Sequence, residues 1–177
     1  MLNLVIGGAA SGKSTYAEGL VCNGGASHRI YIATMQPFDA ECKSRIMKHR
    51  AARSHLGFET VECYTGLCDT QIPSGADILL ECMSNLAANE LFSGNASDTE
   101  VFSSILSGVE RLERFANSLT IVSNDLFADG LHYDADTLRY LKLLARINRA
   151  LAVRAQRVIE VVCGIPILHK GESICIG

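Results

Sequence analysis

Leu2-Asn3-Leu4-Val5-Ile6 runs straight into Gly7-Gly8-Ala9-Ala10-Ser11-Gly12-Lys13-Ser14, and Lys13–Val21 then carries helical periodicity. The turn matches GxxxxGK[ST] and sits where its chemistry needs it, after an apolar strand and before a helix. Glycines at 7 and 12 let the backbone curl around an anion. Successive N–H groups, with Ala9, Ala10 and Ser11 between the glycines, then converge on phosphate oxygens, and the helix N-terminus adds a favourable dipole. In this arrangement Lys13 bridges the β- and γ-phosphates, while the Ser14 hydroxyl ligates Mg²⁺ with Thr15 beside it. The stretch predicts a nucleoside triphosphate site for GTP or ATP.

Outward from this turn, short apolar runs alternate with longer helical stretches. Leu2–Ile6, Arg29–Ala33, Thr60–Cys63, Ile78–Cys82, Leu119–Ser123 and Val158–Cys163 read as strands. Lys13–Val21, Asp39–Arg53, Asn85–Phe92, Asp98–Ala116 and Ala135–Ala155 read as helices, several opened by an Asp or Ser suited to capping. Such alternation predicts an α/β fold of the P-loop NTPase-like (RecA-like) kind, a mostly parallel sheet flanked by helices. Pro166 and Gly171 predict a C-terminal antiparallel edge or hairpin built from Ile165–His169 and Ser173–Ile176. No repeat or long linker divides the chain, so residues 1–177 are expected to form one P-loop nucleotide-binding domain.

Composition narrows the partners. The 16 Lys+Arg and 19 Asp+Glu give a net charge of −3, which supplies no bulk attraction for nucleic acid or an anionic membrane. Anion binding must therefore be local. Met1–Ile6 has no basic leader and is not expected to be a signal peptide, and no apolar run approaches the ~18 residues of a membrane span. The seven cysteines lack a CxxC pair and several sit in apolar runs, so reduced thiols in a cytoplasmic protein are expected rather than disulfides or a zinc site.

Two carboxylates compete for the second half of the nucleotide site. Ile78-Leu79-Leu80-Glu81 is an apolar strand ending in an acid, and Ile121-Val122-Ser123-Asn124-Asp125 is another. On the 39–53 stretch, Arg45, His49 and Arg53 recur every four residues and share one helical face, flanked by Lys48 and Arg50. Taken alone, a basic helix face is solvated surface. Beside a P-loop, arginines meet the charge of a triphosphate, and they disfavour protonation of His49, leaving a nitrogen free to attack phosphorus.

These separated motifs, taken together, resemble the adenosylcobinamide kinase/adenosylcobinamide-phosphate guanylyltransferase family of cobalamin biosynthesis, over nearly the whole chain. Leu4 through Ser14 is similar to the family's strand and GGxxSGKS loop, and Tyr31-Ile32-Ala33-Thr34, with Met35 after it, to its second strand and nucleotide-contacting turn. Arg45 through Arg53 resembles its RIxxHxxxR helix, which implies that His49 takes up GMP as a phosphoramidate and that Arg50, Ala51, Ala52 and Arg53 meet the nucleotide. Glu59-Thr60-Val61-Glu62, Leu79-Leu80-Glu81-Cys82, Ser123-Asn124-Asp125 and Arg146-Ile147-Asn148 look like further family blocks. Glu62 and Glu81 fall at positions that the family associates with GTP, and Ser14 and Glu81 are the expected metal ligands.

The resemblance implies two reactions: phosphorylation of the aminopropanol hydroxyl of adenosylcobinamide, then GMP transfer from GTP onto that phosphate. It also implies a small homo-oligomer, a trimer. The run Asn124–Tyr133 and the stretch Tyr140-Leu141-Lys142 depart from the family's common pattern. Two rival readings stand beside it: a P-loop kinase of another small metabolite, and a nucleotide-binding interaction protein without turnover.

Overall fold

The alternation of apolar runs and helices resolves into one seven-stranded sheet of order β3-β2-β4-β5-β1-β6-β7. In this computed structural model, residues 1–38, 42, 44, 46–47, 51, 53–126 and 133–172 are described. The elements are β1 (Leu2–Gly7), α1 (Lys13–Cys22), β2 (Arg29–Ala33), β3 (Phe58–Glu62), β4 (Asp77–Glu81), α2 (Met83–Phe92), α3 (Asp98–Phe115), β5 (Ser118–Asn124), α4 (Ala135–Arg154), β6 (Arg157–Val162) and β7 (Ile165–Lys170). Strands β1 to β6 pair in parallel, and β7 returns antiparallel on β6. This is the predicted α/β class.

Strand alternation sends residues to two unequal cores. Leu2, Leu4, Ile30, Ile32, Ile78, Leu80, Leu119 and Ile121 face α2, α3 and α4. The intervening Val5, Tyr31, Leu79, Val122 and Ile159 pack with Ala17, Leu20 and Val21 of α1. Helix α3 begins with a capping box, in which the Ser97 hydroxyl accepts from the Glu100 N–H while the Glu100 carboxylate accepts from the Ser97 N–H. The Asp134 carboxylate caps α4 by accepting from the Thr137 N–H at 2.8 Å.

Several boundaries differ from the sequence reading. β3 starts at Phe58 rather than Thr60 and ends before Cys63, and α2 starts at Met83 rather than Asn85. The hairpin is made between β6 and β7 themselves, because Cys163 and Gly164 both take positive φ, 49° and 81°, and close a two-residue turn. Cys163 therefore belongs to the turn rather than to the strand, and Ser173–Ile176 lies outside the described residues. Within the predicted 39–53 helix, Cys42, Ser44, Ile46, Met47, Ala51 and Arg53 are helical. Arg45, Lys48, His49, Arg50 and Ala52 lie outside the described residues.

Candidate active site

Parallel pairing brings the C-terminal ends of β1, β4 and β5 to one edge of the sheet, where an open α/β sheet binds its ligands. Gly7 ends β1 next to Asn124 at the end of β5, and β5 in turn places Val122 beside Glu81 at the end of β4. The phosphate loop leaves this edge. A side chain on Gly7 would meet the Val161 carbonyl at 2.6 Å, and Gly12 sits at φ 90°, so both positions need glycine for different reasons. Gly12 is also the N-cap of α1 and supplies no side-chain oxygen, and the first turn of α1 carries no acidic residue. The helix N-terminus is thus left to an anion. Lys13 is buried, with its ammonium donating to the Gly8 carbonyl at 3.0 Å.

The Ser14 hydroxyl donates to Glu81 Oε1. Glu81 is thereby joined to the phosphate loop, whereas Asp125 is exposed one residue beyond β5, its N–H donating to the Gly7 carbonyl at 3.1 Å. Glu81 Oε2 accepts from the Tyr31 hydroxyl at 3.1 Å. Burial first, and the Glu81 charge second, push the Tyr31 phenol far above its usual range, so it remains a donor. The Ser14 hydroxyl and the Glu81 carboxylate are hard oxygen donors of the kind Mg²⁺ takes alongside phosphate and water, so the residues present fit that ion.

Many of the positions expected to contact nucleotide fall on two adjoining cavities. One, of about 500 Å³, is lined by residues 9–14 of the phosphate loop with Met35, Glu81, Cys82, Asn85 and Asn124. The other, of about 70 Å³, is lined by Tyr31, Ala33, Arg53, Glu62 and Tyr64 together with the shared wall of Met35, Glu81, Cys82 and Asn85. Ala33, Met35, Arg53, Glu62 and Glu81, scattered over nearly fifty residues, are thereby brought together. Thr15 and Ala51 are exposed and line neither cavity. Thr34 is fully buried, and its hydroxyl accepts from the Cys82 N–H at 2.7 Å while lying 2.9 Å from the Cys82 carbonyl, which it serves as donor. Its work is to fix the corner at which Glu81 leaves β4.

Other contributors were given no role by the sequence. Asn85 and Asn124 line the larger cavity, and the Asn124 amide donates to the Ser84 hydroxyl at 2.6 Å. Asn148, within the Arg146-Ile147-Asn148 block, accepts from the Ser123 hydroxyl at 2.7 Å and braces the end of β5 from α4. The Tyr140 hydroxyl donates to the Ser84 carbonyl, and burial pushes its pKa up to about 12. Glu18 of α1 approaches Arg53, with Oε1 3.9 Å from Nη1, and burial raises its carboxyl to about 6. No local pattern signals any of these, because each contact depends on which strands are neighbours.

A family model described as cobinamide kinase / cobinamide phosphate guanyltransferase matches residues 3–168. The chain is 33% identical to the bifunctional adenosylcobalamin biosynthesis protein CobU of Salmonella typhimurium, with 96% of this chain and all of that protein covered. It is 31% identical to the bifunctional adenosylcobalamin biosynthesis protein CobP of Pseudomonas aeruginosa, with 98% of this chain and all of that protein covered. Among solved structures, the flagellar accessory protein FlaH of Methanocaldococcus jannaschii superposes with a TM-score of 0.52 at 13% identity, over 97% of this chain and 78% of that one. An ATPase from the type III secretion system of pathogenic bacteria does so with a TM-score of 0.52 at 16% identity, over 90% of this chain and 50% of that one. These structural likenesses concern the fold alone.

Proposed function

Because the chain belongs to the cobinamide kinase / cobinamide phosphate guanyltransferase family, we propose that it phosphorylates the aminopropanol hydroxyl of adenosylcobinamide and then transfers GMP from GTP to that phosphate through His49. The observation that carries this reading is the pair of adjoining cavities, one built on the phosphate loop and the other on Arg53 and Glu62, with Glu81 on their common wall. A nucleoside triphosphate lying along them has its phosphates on Lys13 and the α1 N-terminus and its nucleoside toward Glu62. Ser14 and Glu81 hold Mg²⁺, which when bound neutralises charge on the phosphate oxygens.

In the kinase reaction the substrate hydroxyl oxygen forms the new P–O bond to the γ-phosphorus as its proton passes to a phosphate oxygen or to water, ADP or GDP leaves with the electron pair of the broken bond, and Lys13 follows the developing negative charge. In the transfer reaction the neutral His49 nitrogen forms a bond to the α-phosphorus of GTP, and pyrophosphate leaves with the electron pair of the Pα–O bond. A phosphate oxygen of adenosylcobinamide phosphate then attacks the same phosphorus, and the imidazole recovers its pair. Two displacements at one histidine keep GTP and the bulky corrinoid out of a single crowded transition state. The protein acts as one domain over residues 1–177, as a cytoplasmic homo-oligomer, a trimer. Among the described residues no helix is long and apolar enough to cross a membrane.

The test is incubation with α-labelled GTP and Mg²⁺ followed by denaturing electrophoresis. Label should stay with the protein, survive alkali and be lost in acid, while γ-labelled GTP leaves none on this residue. His49→Ala should lose labelling and GMP transfer yet keep measurable adenosylcobinamide phosphorylation. A wild-type protein that never takes up label while still phosphorylating a small molecule is a plain kinase.

A further inference from the structure

Tyr31 occupies the middle of β2, beside Leu79 of β4, with its side chain on the face of the sheet that α1 covers and only 5% exposed. A tyrosine so buried needs a partner for its hydroxyl. The partner is Glu81 Oε2 at 3.1 Å, while Ser14 holds the other oxygen of the same carboxylate. Glu81 is thereby pinned at both oxygens, one from the phosphate loop and one from β2.

The ring is itself pinned. The Arg53 guanidinium carbon lies 3.5 Å from its centroid on one face, and the Phe58 ring meets it at 76°, with centroids 6.2 Å apart. Arg53 is 5% exposed, its Nη1 has no hydrogen-bond partner among the described residues, and Glu18 Oε1 lies 3.9 Å from it. The guanidinium stacks on the tyrosine, and a cation against a phenol ring withdraws electron density and strengthens its O–H as a donor.

We propose that Tyr31 is a positioning residue for the phosphate site, holding the Glu81 carboxylate toward Ser14 through its hydroxyl while Arg53 clamps its ring. The inference rests on the reading of Ser14 and Glu81 as the protein ligands of the nucleotide-bound metal. A glutamate side chain has three rotatable bonds, and with Oε2 released only the Ser14 contact, which metal binding must replace, keeps it aimed at the loop. Plain core packing accounts for the Phe58 contact, but it does not require the hydroxyl.

Tyr31→Phe separates the two roles, since it keeps the ring, the Arg53 stack and the Phe58 contact and deletes one hydrogen bond. Mn²⁺ serves as the probe, titrated by electron paramagnetic resonance onto full-length protein carrying a non-hydrolysable GTP analogue. The Mn²⁺ Kd, measured at saturating analogue, should rise about tenfold in Tyr31→Phe, as loss of a bond to a charged group implies. Glu81→Gln should weaken Mn²⁺ further, and adding Tyr31→Phe to it should change nothing more. Melting temperature is measured in parallel to establish that each variant is folded. Wild-type Mn²⁺ affinity in Tyr31→Phe beside a clear loss in Glu81→Gln overturns the role of Tyr31, as do additive losses in the double variant. Wild-type affinity in Glu81→Gln overturns the metal reading itself, and the role of Tyr31 falls with it.

Discussion

The Gly164 N–H donates to the Ser11 carbonyl at 2.8 Å, so the tip of the β6–β7 turn props the phosphate loop from outside. The approach is close: a Cβ on Gly12 would stand 3.2 Å from the Gly164 Cα. Gly164 has open space around its own Cβ position but sits at φ 81°, where an L side chain costs about 1–2 kcal/mol. Gly164→Ala should therefore lower Tm by roughly 2–8 °C for a domain of this size and weaken nucleotide binding through the loop. Gly12→Ala, which adds the contact to the unfavourable φ, should be worse on both counts. Calorimetric scans and nucleotide titrations check the pair, and an unchanged Tm in Gly164→Ala would show that the turn tolerates a side chain.

Lys13→Ala should abolish both activities with little loss of fold. Its ammonium contacts the Gly8 carbonyl at 3.0 Å within the phosphate loop, so its removal deprives the site of charge rather than the core of packing. Losing a charged group aimed at a transferring phosphoryl group costs on the order of 10²–10³ in kcat. Steady-state rates for phosphorylation and for GMP transfer, with circular dichroism as control, decide it. Near-normal turnover would remove the phosphate loop from the mechanism.

Glu81→Gln should impair nucleotide use far more than Asp125→Asn. The amide cannot reproduce a carboxylate that accepts from Ser14 and Tyr31 together, whereas Asp125 is exposed beyond the strand end. A fall on the order of 10²-fold in kcat is expected for the first and about threefold or less for the second. Kinetics on the two variants side by side would reverse the assignment if Asp125→Asn were the slower enzyme.

The phosphate loop was legible because its chemistry is local: two glycines, a lysine and a hydroxyl at fixed spacing between a strand and a helix. The strands were legible for the same reason, as runs such as Ile78–Leu80 that are buried on both faces. What could not be read was adjacency. The family resemblance favoured Glu81 over Asp125, but setting its carboxylate on Ser14 needs β5 to lie between β1 and β4, and joining Tyr31 to Glu81 needs β2 to lie beside β4. Neither pairing leaves a mark in a single sequence. Arg53 read as one cation on a basic face, yet it is buried on Tyr31.

Glu18 gives the site a pH signature. Burial first, and the Glu81 charge second, raise its carboxyl from 4.5 to about 6, against the pull of Arg53. Between those two values the folded protein binds a proton that the unfolded chain has released, so stability falls as pH rises from 4.5 through about 6, and the full penalty persists above. Glu18→Gln keeps the size of the side chain and removes the charge, so it should be more stable than wild type at pH 7.5, by on the order of 1 kcal/mol. The advantage should shrink as pH falls and vanish below about 4.5, where both proteins carry an uncharged side chain at this position. Denaturant unfolding of both proteins across that range measures the difference directly. A variant less stable than wild type at pH 7.5 would mean that the Arg53 ion pair outweighs burial, and that Glu18 is ionised at a gain rather than a cost.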